Sequence, residues 1–176
     1  MFNFLKKINL INSFGEDSNY YKNPTFLIET LRKYGSEKGL FRTITILALE
    51  LHDLMFDMIN KTNTYFPAHL EDLDIKSKNI IFGKRYTPTN IYTFRKILSR
   101  FTRKYDKSGF IDFGSGKGLA LLLAASYGFR KVTGVEFSKE LCKASIINSL
   151  RFKNGLYKNR IKTVYLDASK YDIDLT

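Results

Sequence analysis

Three closely spaced glycines between two apolar runs constrain the fold of this chain more than any other feature. Gly114, Gly116 and Gly118 follow the short run 110–113 and precede the longer apolar run 119–127. The short run is typical of a buried strand, and the longer run is typical of a helix. The glycines are therefore predicted to form a strand-to-helix turn, where the backbone passes close to a ligand.

An acidic residue at the end of the next predicted strand adds a second feature of a nucleotide pocket. Glu136 lies 22 residues after Gly114 and ends the next predicted strand, 131–136. A carboxylate at that place can accept hydrogen bonds from both hydroxyls of a ribose. The glycine turn and Glu136 together predict a pocket for a nucleoside or nucleotide. The structural alternative for Glu136 is a solvated strand end.

The neighbours of the glycines narrow the choice of ligand. The dinucleotide fingerprint has a small residue where this chain has Leu119, which makes an NAD-dependent oxidoreductase the weaker alternative. Asp112 stands where dinucleotide-binding strands usually carry an apolar residue, and a carboxylate there suits a ligand with a positive charge nearby. A Walker pattern is excluded, because Lys117 is followed by glycine and not by serine or threonine.

Residues 112–118 resemble motif I of the class I S-adenosylmethionine-dependent methyltransferases, whose cofactor carries a sulfonium and an amino group. Upstream, Tyr86-Thr-Pro-Thr89 is similar to a Y-x-P-T segment that lines the methionine end of the cofactor in a bacterial group of these enzymes. Downstream, Asp167 and Ala168 resemble the end of strand 3, where a carboxylate meets the adenine amino group.

The resemblance runs from about residue 30 to the C terminus, because residues 53–57, Thr64 and residues 70–73 match a pattern of uncharacterised bacterial members. It implies an α/β fold, a Rossmann-like parallel sheet of which this chain supplies strands 3-2-1, preceded by a helical region. It assigns no catalytic residue and no metal ligand. The cofactor-binding residues that it implies are Tyr86, Thr89, Asp112, Gly114, Ser115, Gly116, Gly118, Glu136, Asp167 and Ala168.

Several of these residues also have a purely structural interpretation. Tyr86 would then belong to the core, Thr89 would cap the helix that begins near Asn90, and Asp167 would cap a turn. Asp53, Phe56 and Asp57 are more typical of a helix face than of a site.

The chain is organised in two predicted regions, a helical region and linker at 1–80 and a cofactor-binding half-domain at 81–176. Apolar residues recur at three- and four-residue steps from about residue 25 to residue 61, which predicts two amphipathic helices separated at 35–39. Residues 62–90 contain two of the three prolines and are typical of a linker with short elements. A further helix is predicted over 90–103.

The second region alternates between strands and helices. The predicted order is strand 109–113, helix 117–127, strand 131–136, helix 138–153 and strand 161–166, with Ser138 as a helix cap. Such alternation predicts right-handed crossovers and a parallel sheet. The strand-4 motif of the resembled family does not follow, so we expect a truncated domain. With strand 1 at an open edge, we expect apolar side chains such as Phe110, Val132 and Val135 to lack their usual neighbours, and the chain to self-associate or to be poorly stable.

Composition restricts the compartment and the chemistry. The single cysteine, Cys142, excludes an internal disulfide and is interpreted as packed within a helix. His52 and His69 are interpreted as surface or structural residues, because one cysteine and two histidines leave too few soft ligands for zinc. The sequence offers no signal peptide and no membrane-spanning run, which favours a reducing cytoplasm.

The charge leaves the methyl acceptor open. The net charge is +12, and basic residues alternate with aromatic ones at 84–86, 92–95, 100–105 and 151–160, as on surfaces that contact phosphate backbones. RNA and protein side chains are both admissible acceptors, although lysine-rich composition also follows from an A/T-rich genome. The alternative from another class is a non-catalytic module that binds S-adenosylmethionine or serves as an interaction partner.

Overall fold

The computed structural model describes residues 40–69, 71, 73–100 and 108–173. The chain forms two compact units, residues 1–54 and residues 55–176. The predicted division at residue 80 stays a prediction. The first predicted helix and the break at 35–39 lie outside the described residues. The helix predicted over 90–103 is shorter in the structure: it covers Ile91–Leu98 and is closed by Ser99, whose backbone N–H donates to carbonyls of its last turn.

The described elements follow the predicted order. The helices and strands are α1 (Leu40–Asn60), α2 (Ile91–Leu98), β1 (Gly109–Phe113), α3 (Leu119–Tyr127), β2 (Lys131–Glu136), α4 (Lys139–Arg151) and β3 (Ile161–Tyr165). Short 3-10 helices cover Lys78–Phe82, Phe152–Gly155, Lys158–Arg160 and Ala168–Lys170. The predicted helix 117–127 begins two residues late, because Gly118 has a left-handed backbone and serves as the cap.

The three strands form one parallel sheet in the order β1-β2-β3. Phe113 lies opposite Val135 in the first pair, and Val135 lies opposite Val164 in the second. The predicted α/β class and parallel order are therefore confirmed. The carboxyl ends of all three strands meet at one edge of the sheet, and their amino ends meet at the other.

Helix α3 supplies much of the core. Its residues from Leu119 to Ala125 are all buried, and two apolar clusters surround them. One cluster includes Phe56 and Phe152, and the other includes Phe129 and Val132. Each fully buried leucine contributes about 1.5–3 kcal/mol, so α3 anchors the turn that precedes it.

The expectation of poorly covered apolar side chains in the sheet was wrong for two residues. Val132 and Val135 are both 0% exposed on the middle strand, and Val132 packs in the apolar cluster that α3 supplies. Phe110, on β1, is partly buried and packs on Phe94 and Phe129. Self-association through β1 stays a prediction.

Helix α4 begins as predicted. The Ser138 side chain accepts a hydrogen bond from the backbone N–H of Leu141, and Glu140 lies in the first turn, where the helix dipole favours an acid. Cys142 is buried, as predicted, and burial raises the pKa of its thiol. Within the described part of the chain, no helix is both long and apolar enough to cross a membrane.

Candidate functional site

A cavity of about 550 Å³ opens at the carboxyl edge of β1 and β2. It is walled by the segment 83–89, by the turn 114–116 between β1 and α3, and by the residues that follow β2. The lining residues are Gly83, Lys84, Arg85, Tyr86, Thr87, Thr89, Asp112, Gly114, Ser115, Gly116, Leu119, Ala120, Glu136, Phe137 and Leu141. Ligand sites of open parallel sheets lie at this edge.

The glycine turn is fixed by two neighbours. The backbone N–H groups of Gly114 and Ser115 both donate to the carbonyl of Val135, at 2.8 and 3.2 Å. Gly114 has a φ of 75°, and a side chain added there would meet open space. Gly116 has a φ of 54°, and a Cβ added there would collide with the ring of Tyr86. Gly116 is thus required by Tyr86, whereas Gly114 leaves its face of the turn free for a ligand.

Glu136 connects the turn to the start of α4. It is 2% exposed, and its Oε2 accepts from the N–H of Gly116 at 2.7 Å while Oε1 accepts from the N–H of Ser138 at 2.8 Å. Burial raises the pKa of Glu136, and these backbone hydrogen bonds oppose the rise. A carboxylate has about four acceptor positions, so Glu136 retains capacity for hydroxyl groups of a ligand.

Asp112 places a second carboxyl group in the same cavity. It lies on β1, opposite Gly134 in the register, and it is partly buried. Burial raises its pKa to about 6, and the charge of Glu136 adds to the rise. Two desolvated acids in one cavity repel each other, so a ligand cation between them relieves both costs.

Lys117 does not line the cavity, and its side chain stabilises the opposite side of the glycine turn. Its side chain is buried, and its Nζ donates to the carbonyl of Phe66 at 2.9 Å and lies 5.5 Å from the centre of the Tyr86 ring. Burial lowers the pKa of Lys117 to about 8, and the charge of Asp57 opposes this. The side chain of Asn148 on α4 donates to the carbonyl of Lys117 at 2.9 Å.

The segment 62–66 is itself organised by one buried acid. Asp57 is 1% exposed, and it accepts from the hydroxyl of Thr62 at 2.5 Å and from the backbone N–H groups of Thr64 and Tyr65, both at 2.6 Å. Asp57, which was interpreted as part of a helix face, is thus a buried acceptor that holds the loop after α1 in place. The Tyr86 hydroxyl donates to the Thr64 carbonyl at 2.7 Å, so this acid indirectly positions Tyr86.

Seven of the ten predicted binding residues line the cavity: Tyr86, Thr89, Asp112, Gly114, Ser115, Gly116 and Glu136. Gly118 does not; a Cβ there would collide with Ser145 on α4, so its place is explained by helix packing. Asp167 and Ala168 are also outside the cavity lining. Whether any of these residues binds a ligand stays a prediction.

Asp167 has structural partners for both carboxyl oxygens. Oδ2 accepts from the Ser77 hydroxyl and from the Asn79 amide, while Oδ1 accepts from the backbone N–H of Ser169. The hydrogen bonds from Ser77 and Ser169 hold the pKa of Asp167 below its usual range. The carboxylate thus caps the short helix Ala168–Lys170, as the structural interpretation expected. Thr89 is not the cap of α2; that role belongs to Asn90, whose side chain accepts from the N–H of Thr93.

The structure adds lining residues that sequence reasoning did not select. Lys84 and Arg85 are exposed and directly precede Tyr86, so their position beside the Y-x-P-T segment was the available signal. Phe137 follows Glu136, and Leu141 lies one helical turn after it. They supply apolar surface beside the acid, as is typical of small-molecule pockets.

No family model and no curated protein sequence matches this chain. Among solved structures, it is similar to the SAM-dependent methyltransferase from Agrobacterium tumefaciens, with 21% identity and a TM-score of 0.37, over 46% of this chain and 24% of that one. It is also similar to a segment of StiE described as O-MT, with 21% identity and a TM-score of 0.39, over 47% and 29%. The match spans less than a third of each of these two solved structures. We therefore infer what this chain binds from its own residues.

Proposed function

We propose that the cavity binds S-adenosylmethionine and that the chain is the cofactor-binding part of a methyltransferase. The observation that carries this proposal is the meeting of Asp112 and Glu136 beside the open face of Gly114 in a cavity of about 550 Å³. The size lies within the range of small-molecule sites, about 300–1,000 Å³. Two carboxyl groups suit a ligand that offers ribose hydroxyls and a positive charge.

The two sides of the cavity carry opposite charges. Asp112 and Glu136 lie on the sheet side, and the exposed cations Lys84 and Arg85 lie on the segment 83–87. A ligand with an ammonium or sulfonium group at one place and a carboxylate at another satisfies both. The pyrophosphate of NAD would also satisfy the two cations, but NAD is disfavoured by Leu119, which occupies the position that the dinucleotide fingerprint reserves for a small residue.

S-adenosylmethionine supplies an electrophilic methyl group on a sulfonium when bound. The residues of this chain would hold the nucleoside and exclude water around it, because methyl transfer gains most from proximity and alignment. We propose a protein side chain or RNA as the acceptor. The net charge of +12 makes RNA an admissible acceptor beside protein side chains.

The alternative is a binding module without turnover. Seven predicted residues line one cavity, yet none of them is assigned an acceptor-side role. Incubation with tritiated S-adenosylmethionine and cell lysate, followed separately by protease or ribonuclease, distinguishes the two: labelled macromolecule supports an enzyme and identifies the acceptor class. Cofactor binding without label supports the module.

The ligand proposal is tested by calorimetric titration of the folded chain with S-adenosylmethionine, S-adenosylhomocysteine and NAD. We expect heat of binding from both sulfur nucleosides, because both offer the ribose and the amino group, and none from NAD. Binding of NAD alone would overturn the assignment. A folded chain that responds to none of the three would contradict a cofactor-binding function altogether.

Tyr86 allows the cavity wall to be tested separately from stability. We expect Tyr86→Phe to lose about 1 kcal/mol of stability, since it removes the hydrogen bond to Thr64, and to retain cofactor affinity. Tyr86→Ala also removes the ring over Gly116, and we expect weaker cofactor binding at temperatures where the variant is folded. Thermal melts and titrations give the two quantities. Unchanged affinity in Tyr86→Ala despite a large fall in stability would leave Tyr86 as a packing residue only.

A further inference from the structure

The amino-terminal edge of the sheet, opposite the cavity, carries a concentration of positive charge. We call residues 130–131 and 151–162 the basic edge; they precede or begin β2 and β3 and include the end of α4. Its seven cations are all exposed, and the stretch 141–166 contains no aspartate or glutamate. Within the described part of the chain, none of these cations has an ion-pair partner.

The register of the sheet brings these charges together. Val132 lies opposite Ile161, the first residue of β3, and neighbouring strands lie about 4.8 Å apart. Lys131 and Arg160 directly precede this pair, so both lie at the same edge of the sheet. Both Lys153 and Arg160 lie over the ring of Tyr157, at 5.6 and 5.7 Å from its centre. The Tyr157 ring thus contacts two exposed cations at this edge, and an anion bound there would be attracted by both.

The end of α2 extends the same surface. The Tyr127 hydroxyl, at the end of α3, donates to the carbonyl of Arg95 at 3.2 Å, which places the last turn of α2 at this edge. Arg95, Lys96 and Arg100 are all exposed there. Across the described residues of the unit 55–176, eighteen lysines and arginines are exposed but only four acids, because Asp57 and Glu136 are buried and Asp112 and Asp167 are partly buried.

The share of arginine among these exposed cations indicates which kind of anion they bind. The chain has twenty lysines and nine arginines, whereas the basic edge and the end of α2 together hold five of each. Arginine is favoured where phosphates are held by paired hydrogen bonds and bases stack on the guanidinium, while attraction to an anionic membrane does not distinguish arginine from lysine. Five of the nine arginines therefore lie at one edge, a concentration that the overall composition does not explain.

We propose that the basic edge is a binding site for the phosphate backbone of single-stranded nucleic acid, separate from the cavity at the opposite edge. The site tracks phosphates through its arginines and lysines and offers the planes of its exposed guanidinium groups for stacking with bases. It does not depend on the cofactor proposal, because no residue of the basic edge lines the cavity.

The test uses the full chain and a fluorescein-labelled single-stranded RNA of about 20 nucleotides, with anisotropy measured from about 50 to 200 mM salt. We expect the triple variant Arg130→Gln, Arg151→Gln, Arg160→Gln to bind at least tenfold more weakly. Its slope of log affinity against log salt should fall by about 2, at roughly 0.7 for each lost phosphate contact. The corresponding arginine-to-lysine triple should retain most of the slope, and circular dichroism establishes that each variant is folded.

The matched control removes three exposed lysines from elsewhere in the same unit: Lys76→Gln, Lys78→Gln and Lys170→Gln. It changes net charge equally, so we expect a loss of less than threefold. Equal weakening by both triples would mean that net charge alone drives binding and would overturn the site. Absence of RNA binding at the lowest salt would also overturn it, as would binding to phosphatidylserine vesicles, but not RNA, that depends on the three arginines.

Discussion

Replacing Glu136 by alanine is expected to weaken S-adenosylmethionine binding about ten- to a hundredfold. The change would remove the charge-assisted hydrogen bonds that we propose between Glu136 and the ribose hydroxyls, worth roughly 1.5–3 kcal/mol. It also leaves the N–H groups of Gly116 and Ser138 without their present acceptor. Unsatisfied buried donors cost about 1–3 kcal/mol each, so stability should fall as well.

Two further variants separate these effects. Glu136→Gln keeps one acceptor oxygen for a backbone N–H, but its amide would face the other N–H donor to donor, so we expect intermediate stability with most of the affinity lost. The matched control is Glu140→Ala, which removes an exposed acid in the first turn of α4 whose carboxylate accepts a hydrogen bond from the Ser138 hydroxyl. Titration below the melting temperature measures affinity. If the Glu136→Ala variant bound the cofactor as tightly as the unchanged chain, Glu136 would stabilise the glycine turn only and would not contact the ligand.

The sequence allowed the sheet to be predicted because its signals are local. Strands 109–113 and 131–136 are apolar runs flanked by glycine or charge, and the structure has the same bounds. The turn at 114–118 followed from glycine spacing. The sequence could not show why two of these positions need glycine, however. The ring of Tyr86 leaves no room for a side chain at Gly116, and the side chain of Ser145 leaves none at Gly118.

The supports of the turn could not be predicted because their partners are remote in the chain. Asn148 and Lys117 are 31 residues apart, and Lys117 and Phe66 are 51 apart. Nothing in the local pattern around Asp57 distinguishes a solvated helix face from a buried cap; that depends on how residues 62–65 fold back over the carboxylate. Asp167 was more accessible to prediction, since an aspartate two residues before a serine is typical of a local turn.

Burial of Asp112 in the cavity lowers the stability of the fold at neutral pH, and the pH dependence of unfolding should show this. Its pKa is about 6 in the folded chain and near 3.8 for an unperturbed aspartate. The folded state therefore holds the proton more tightly, so the stabilisation from protonated Asp112 is complete below about pH 3.8 and is lost as pH rises through 6. At neutral pH the charged form costs up to about 3 kcal/mol.

Asp112→Asn is accordingly expected to raise the free energy of unfolding by about 1–3 kcal/mol at pH near 7.5, with the gain shrinking toward pH 4. Urea melts at both pH values measure this. Burial also raises the pKa of Glu136, but Glu136 is present in both proteins, so its contribution largely cancels in the difference. The control Asp74→Asn changes an exposed acid and should not alter the pH dependence.

The same variant should bind S-adenosylmethionine more weakly, since the cavity loses a carboxylate that favours the ligand's positive charge. In the unchanged chain, binding a cation keeps Asp112 ionised, so affinity should rise as pH increases from about 5 to 7 and then level off. Titrations at these pH values decide the outcome. An Asp112→Asn variant that is more stable but binds with unchanged affinity and pH dependence would show that the carboxyl group faces no cation, and the charge argument for the cofactor would then fail at Asp112.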